Sequence, residues 1–186
     1  MRNAYALLGI GFIIIIASLF FLGGTLKTES QIPQTSSMLT LTSPAFSENE
    51  GIPAKYTCDG DNVSPPLRIA GVPEGTKSLV LLMDDPDVPK ALKPDGVFDH
   101  WVLYAIPPDT KEIPEGETAG NQGLNGRGKD AYTGPCPPSG THRYFFRLFA
   151  LDQVLEIGLQ TKADLESATH GHIIGTAELA GLFEHK

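Results

Sequence analysis

Positive charge is scarce in this chain of 186 residues: 14 Lys and Arg stand against 22 Asp and Glu, a formal net charge of −8. Arg2 is one of the 14, so the part beyond the first apolar segment is the more acidic. That balance excludes general nucleic-acid binding, which needs basic patches to release counterions. It also argues against holding anionic lipid by charge alone. Cysteine is nearly absent, with only Cys58 and Cys136. The pair allows one disulfide closing a long loop, or two free thiols. There is no internal repeat, which excludes a stacked-repeat array.

Charge is missing altogether from Asn3 to Leu26, and Ala4 to Leu22 is almost wholly apolar. At about 1.5 Å per helical residue that run spans roughly 28 Å, close to a bilayer core. Residues 1–27 are therefore expected to be an N-terminal membrane anchor, a single-pass transmembrane helix. The alternative is a cleaved signal segment and secretion. The run is longer than the usual signal core, and Gly23–Lys27 offers neither Ala-x-Ala nor a lipoprotein cysteine. Both readings put the rest of the chain outside the cytoplasm. Residues 28–37 read as a polar linker. Residues 38–186 then form one domain, large enough for its own core.

Strand-length apolar runs bounded by Pro, Gly and Asp dominate that domain. Leu39–Thr42 alternates, Ser78–Met83 is continuous, and His100–Ile106 ends at Pro107-Pro108. Arg143–Leu151 is the longest, and Ile173 to Phe183 holds a further strand. Thr161-x-x-Asp164 has the form of a helix capping box, with Gly171 as a stop. One short helix among many strands predicts a mainly β fold, a sandwich or a barrel. Between Pro107 and Tyr132 lies a glycine-rich stretch, of a length that in a compact domain is functional or mobile.

Several motifs lack what their chemistry needs. Gly123 to Lys129 fits G-x-x-x-x-G-K, but Asp130 stands where a P-loop needs Ser or Thr. The flanking segments supply neither the strand nor the helix. Ser139 has Pro137 two places before it, where a nucleophile elbow needs Gly. His170 and His172 have no third metal ligand close in sequence. Asn62-Val63-Ser64 is a glycosylation sequon weakened by Pro65.

Three segments share a stronger pattern, ionisable residues where an apolar strand meets a proline-rich turn. They are Asp84-Asp85-Pro86-Asp87-Val88-Pro89, Phe98-Asp99-His100-Trp101, and Cys136-Pro137-Pro138-Ser139-Gly140-Thr141-His142-Arg143-Tyr144. Side chains alternate on a strand, so His142 and Tyr144 share a face with Phe146 and Leu148. Aspartate and two histidines on such rigid ends can take up an anion, because histidine titrates near neutral pH. Phe98, Trp101 and Tyr144 would supply apolar walls.

Together these segments resemble the phosphatidylethanolamine-binding protein family, also called Raf kinase inhibitor-like, in its prokaryotic YbhB/YbcL-type branch. The matching stretches are Lys55–Leu67, Ser78–Pro89, Gly96–Pro108 and Tyr132–Asp152. The resemblance implies an antiparallel β-sandwich with a few short helices, no cofactor and no enzymatic activity. It implies an anion or phospholipid head-group pocket formed by Asp85, Pro89, His100, Pro137, Pro138, His142 and Tyr144, with Asp87 ordering the turn. It also implies a protein partner to be modulated or inhibited, such as a serine protease. Two departures stand out: only Thr141 separates Gly140 from His142, and no C-terminal helix follows the last strand. The lipid selectivity and kinase regulation of animal members are therefore not implied. Two alternatives stay open: a metal-dependent phosphoester hydrolase using Asp85, Asp87, His100 and His142, and an envelope-interaction domain with a vestigial pocket.

Overall fold

The computed structural model describes residues 38–155, 158 and 161–186. The anchor or signal segment expected over residues 1–27, and the linker after it, lie outside the described residues. Among the described residues no helix is long and apolar enough to cross a membrane.

Among the described residues, nine strands and one α-helix follow one another. They are β1 (Thr40–Thr42), β2 (Glu50–Gly51), β3 (Leu67–Ala70), β4 (Ser78–Asp85), β5 (Phe98–Ile106), β6 (Glu112–Ile113), β7 (Asn121–Gln122), β8 (Thr141–Leu151), α1 (Lys162–Thr169) and β9 (Ile173–Glu184). A three-stranded sheet has the order β1-β3-β6, and a six-stranded sheet the order β2-β9-β8-β4-β5-β7. Neighbouring strands are antiparallel, with one correction to the expected pattern: β2 runs parallel to β9.

Burial explains the sequence pattern of each strand. β4 is central, and every one of its residues is buried. Leu79, Leu81 and Met83 enter one core cluster, while Val80 and Leu82 enter a second on the opposite face. A strand covered on both faces reads as a continuous apolar run, as Ser78–Met83 does. β8 alternates instead, burying His142, Tyr144, Phe146, Leu148 and Ala150 and leaving Arg143 exposed on the other face. The first cluster also takes Leu41 and Ile69 from the three-stranded sheet, so side chains of both sheets share one core. Full burial of each such side chain contributes about 1.5–3 kcal/mol before entropy is subtracted. The second cluster is closed by Leu165 of α1. That helix begins as expected: Asp164 N donates to Thr161 Oγ1 (3.3 Å) and Thr161 N donates to Asp164 Oδ2 (3.1 Å).

The stretch from Pro107 to Tyr132 is more ordered than its composition predicts. It contributes β6 to one sheet and β7 to the edge of the other.

Candidate anion pocket

Antiparallel pairing brings the three ionisable segments together. β4 ends beside the start of β5, with Asp85 opposite Phe98, and beside the start of β8, with Asp84 opposite Phe145. Both neighbours run against β4, so the end of one strand meets the beginnings of two.

A register shift then sorts the side chains. Met83 pairs with Trp101, but Asp84 pairs with Asp99, which leaves His100 as the extra residue of a β-bulge. Strict alternation would put His100 on the face of Val102 and Tyr104. The bulge turns it instead to the side of Asp85 and Tyr144, and bulges beside functional sites commonly re-aim a side chain in this way. The His100 ring lies edge-on to Tyr144 (centroids 5.2 Å) and to Phe98 (4.8 Å).

Hydrogen bonds fix the ionisable groups. His142 Nδ1 lies 2.7 Å from Asp85 Oδ2, and both residues are buried. Asp85 Oδ1 accepts from Asp87 N (2.8 Å), which closes the turn. Arg143 clamps Asp87 with Nε to Oδ2 (2.8 Å) and Nη2 to Oδ1 (2.6 Å), holding its carboxyl below the usual carboxylate range. His100 Nδ1 lies 2.6 Å from the Thr133 carbonyl oxygen, and Thr133 N donates back to the His100 carbonyl (2.9 Å). A carbonyl can only accept, so His100 carries a proton on Nδ1 and its neutral ring offers Nε2 as an acceptor. Burial pushes this histidine down to about 4. Among the described residues the buried Tyr144 hydroxyl makes no hydrogen bond of good geometry, with the Asp85 carboxylate close by. Burial and the nearby Asp85 raise its pKa, so it remains a donor.

A cavity of about 100 Å³ opens over this arrangement, walled by Asp85, Phe98, His100 and the rim residues Cys136, Pro137 and Pro138. A larger open groove of about 720 Å³, between β1 and β9, is mainly apolar and has no such pairing of ionisable groups. The chemistry therefore points to the smaller cavity.

The rim is tied down from two sides. Cys58 and Cys136 form a disulfide across a separation of 78 residues, and Cys58 N donates to the Pro135 carbonyl (3.0 Å). Asn62 Oδ1 accepts from Gly134 N (2.8 Å), so the sequon asparagine has a structural task. A Cβ on Gly134 would come within 2.6 Å of that oxygen, so the close approach demands glycine there. From the other side, buried Asn125 organises the glycine loop: its Oδ1 accepts from Arg127 N (2.9 Å) and Lys129 N (3.1 Å), and its Nδ2 donates to Ala131 O (2.8 Å) and Thr133 Oγ1 (2.9 Å). The segment that mimics a P-loop thus buttresses Thr133, and through it His100.

Placement of the predicted residues is uneven. Asp85, His100, Phe98, Pro137 and Pro138 wall the cavity, but His142 and Tyr144 stand behind it, against Asp85 and His100. Pro89 belongs to the turn, where its carbonyl accepts from Leu92 N (2.8 Å) and Lys93 N (3.1 Å), and it does not wall the cavity. Trp101 is not a wall either. It is buried in the core edge-on to Tyr132, because the bulge leaves it in register with Met83. Arg127, Thr133 and Gly134 also line the cavity. Sequence reasoning missed them because their loop carries no strand period. The one usable signal was Asn125-Gly126 inside that loop. His172 pairs with Asp152 (2.9 Å), and among the described residues neither His170 nor His172 belongs to a metal-sized cluster.

Fold and cavity together define a mainly β protein with a small pocket, lined by Asp85, His100 and Arg127, at its strand ends. The phosphatidylethanolamine-binding protein family model matches residues 42–184, and the chain belongs to that family. A protein named UPF0098 from Methanothermobacter thermautotrophicus is 47% identical over 156 residues, covering 78% of this chain and 98% of its own. One from Chlamydia trachomatis is 48% identical over 149 residues, covering 78% of this chain and 99% of its own. Among solved structures, a phosphatidylethanolamine-binding protein homologue from Chlamydia trachomatis superimposes with a TM-score of 0.79 at 46% identity, over 81% of this chain and 100% of that one. Escherichia coli YbcL gives 0.70 at 29% identity, over 80% and 99%.

Proposed function

We propose that the domain is a non-enzymatic binding protein whose pocket takes a phosphate-like anion, free or as a phospholipid head group. The observation that carries this reading is the convergence of Asp85 and His100 on a cavity of about 100 Å³, with His142 and Tyr144 packed behind them. That volume suits a head group and leaves an acyl chain outside.

The Asp85 carboxylate repels a bare anion, and the neutral His100 offers an acceptor. An anion therefore enters with proton uptake, protonating a histidine so that it becomes a donor. Affinity is expected to rise as pH falls from 8 to 5, and a flat profile for sulfate, whose own charge is constant there, would contradict it. The two sheets share one core, and we read them as the layers of a sandwich. The disulfide supports a location outside the reducing cytoplasm, anchored or secreted. Modulation of a protein partner such as a serine protease belongs to the same reading, carried by family membership alone.

The hydrolase alternative is disfavoured by one arrangement: both carboxylate oxygens of Asp87 are already taken by Arg143. The direct test is titration with phosphate and phosphoethanolamine, following the histidine resonances. His100 signals should shift, and His142→Ala should weaken binding roughly tenfold, about 1.4 kcal/mol. Equal behaviour of wild type and variant would remove the pocket from the reading.

A further inference from the structure

Cys58, Cys136 and His185 each place one ligand atom within 4.8 Å of the others, at the exposed surface. His185 Nδ1 lies 3.8 Å from Cys58 Sγ and also contacts Asp59 Oδ1. Two sulfurs, an imidazole nitrogen and a carboxylate oxygen are the donor types of four-coordinate zinc sites. Cys136 joins this corner from the pocket rim, and His185 from just beyond the end of β9. Three distant parts of the chain thus meet at one point.

We propose that in the dithiol form Cys58, Cys136, His185 and Asp59 bind one divalent cation of the zinc class, in competition with the disulfide. Opening the S–S bond takes two electrons and two protons. Two molecules of a small thiol supply them and leave joined as their own disulfide. The cation then displaces both cysteine protons to solvent and binds the two thiolates. Two thiolates on one tetrahedral cation sit roughly 3.8 Å apart, from Zn–S bonds of about 2.3 Å. The Cα separation of 5.5 Å permits this by side-chain rotation. Surface exposure gives the ion an entry path. Cys136 also lines the anion cavity, so metal, disulfide and pocket share a residue. Oxidising surroundings hold the rim by the covalent bond, and reducing surroundings with available metal hold it by the ion.

The test uses the full chain, reduced with a phosphine and titrated with Co²⁺ as a spectroscopic stand-in for Zn²⁺. Reduced protein should bind one Co²⁺ with thiolate-to-cobalt charge transfer and tetrahedral visible bands, and Zn²⁺ should displace it. Oxidised protein should give neither signal. Cys58→Ser and Cys136→Ser should each abolish the charge-transfer band or reduce it strongly. His185→Ala keeps the disulfide in the oxidised chain, so its fold can be checked first. After reduction it should bind Co²⁺ roughly tenfold or more weakly. The proposal is overturned if reduced wild type shows no thiolate charge transfer. It is equally overturned if His185→Ala binds as tightly as wild type, as two loose thiols would.

Discussion

Asp84 and Asp85 are neighbours on β4, and both are buried, yet they face opposite sides of the sheet and do opposite things. Asp84 Oδ2 receives Lys162 Nζ (2.6 Å) and a guanidinium N–H of Arg147. These cations have further partners: Glu178 for Arg147 (3.0 Å), and Asp99 for Lys162 (3.5 Å). Burial, the largest single influence, lowers the pKa of Lys162, but the hydrogen bond to Asp84 and the charges of Asp84, Asp99 and Glu166 together outweigh it and leave it raised. Asp84 is therefore locked by permanent charges in a structural network. Among the described residues, no Lys or Arg is bonded to the Asp85 carboxylate. Its partners are a backbone N–H and His142, a group that can gain or lose a proton. Fixed cations make an aspartate structural, whereas a titratable partner leaves one free to respond to a ligand.

The largest expected effect comes from Asp84→Ala, which leaves two buried or half-buried cations short of an anion. Their remaining carboxylates soften the loss, so about 3 kcal/mol of stability should disappear, with anion affinity nearly unchanged. Chemical denaturation and calorimetric titration measure the two. A large loss of affinity with intact stability would invert the comparison. Asp85→Ala should do the reverse. No fixed cation is stranded, so the stability cost is about 1–2 kcal/mol, while affinity falls roughly tenfold or more because the turn and His142 lose their anchor.

His100 sharpens the comparison through pH. Its pKa is about 4 when folded, below the ordinary 6.5, so between those values the unfolded chain binds a proton that the folded chain refuses. Its contribution is complete above about pH 6.5 and is lost as pH falls towards about 4, a total of roughly 3 kcal/mol. Thermal melting across that window should show the loss. His100→Gln should flatten it, and saturating phosphate should reduce it by holding the protonated ring. The smallest effect is expected from exposed Arg127→Ala at the cavity mouth. Affinity should fall about twofold to fivefold at low salt, and by less at high salt.

Much of this was legible in the residues. The alternation from His142 to Leu148, the continuous run of β4 and the capping box at Thr161 all follow from local rules, and each recurs in the structure. The side of the sheet taken by His100 was not legible. A period of two sends His100 away from Asp85, and only the bulge opposite Met83 and Asp84 reverses it. The same shift explains why Trp101 packs in the core instead of walling the pocket. Asn125 escaped for a different reason: its four hydrogen bonds reach groups made available only by the folded loop.

The sequence by itself determined strands β1, β4, β5, β8 and β9, the helix start, the acidic balance and the three ionisable turns, because each depends on composition or on neighbours a few residues away. Tertiary structure alone decided that Cys58 meets Cys136, that Asp84 and Asp85 part company, and that a glycine loop supports a histidine. Those outcomes depend on strand register and on contacts between distant residues, and no local pattern encodes either.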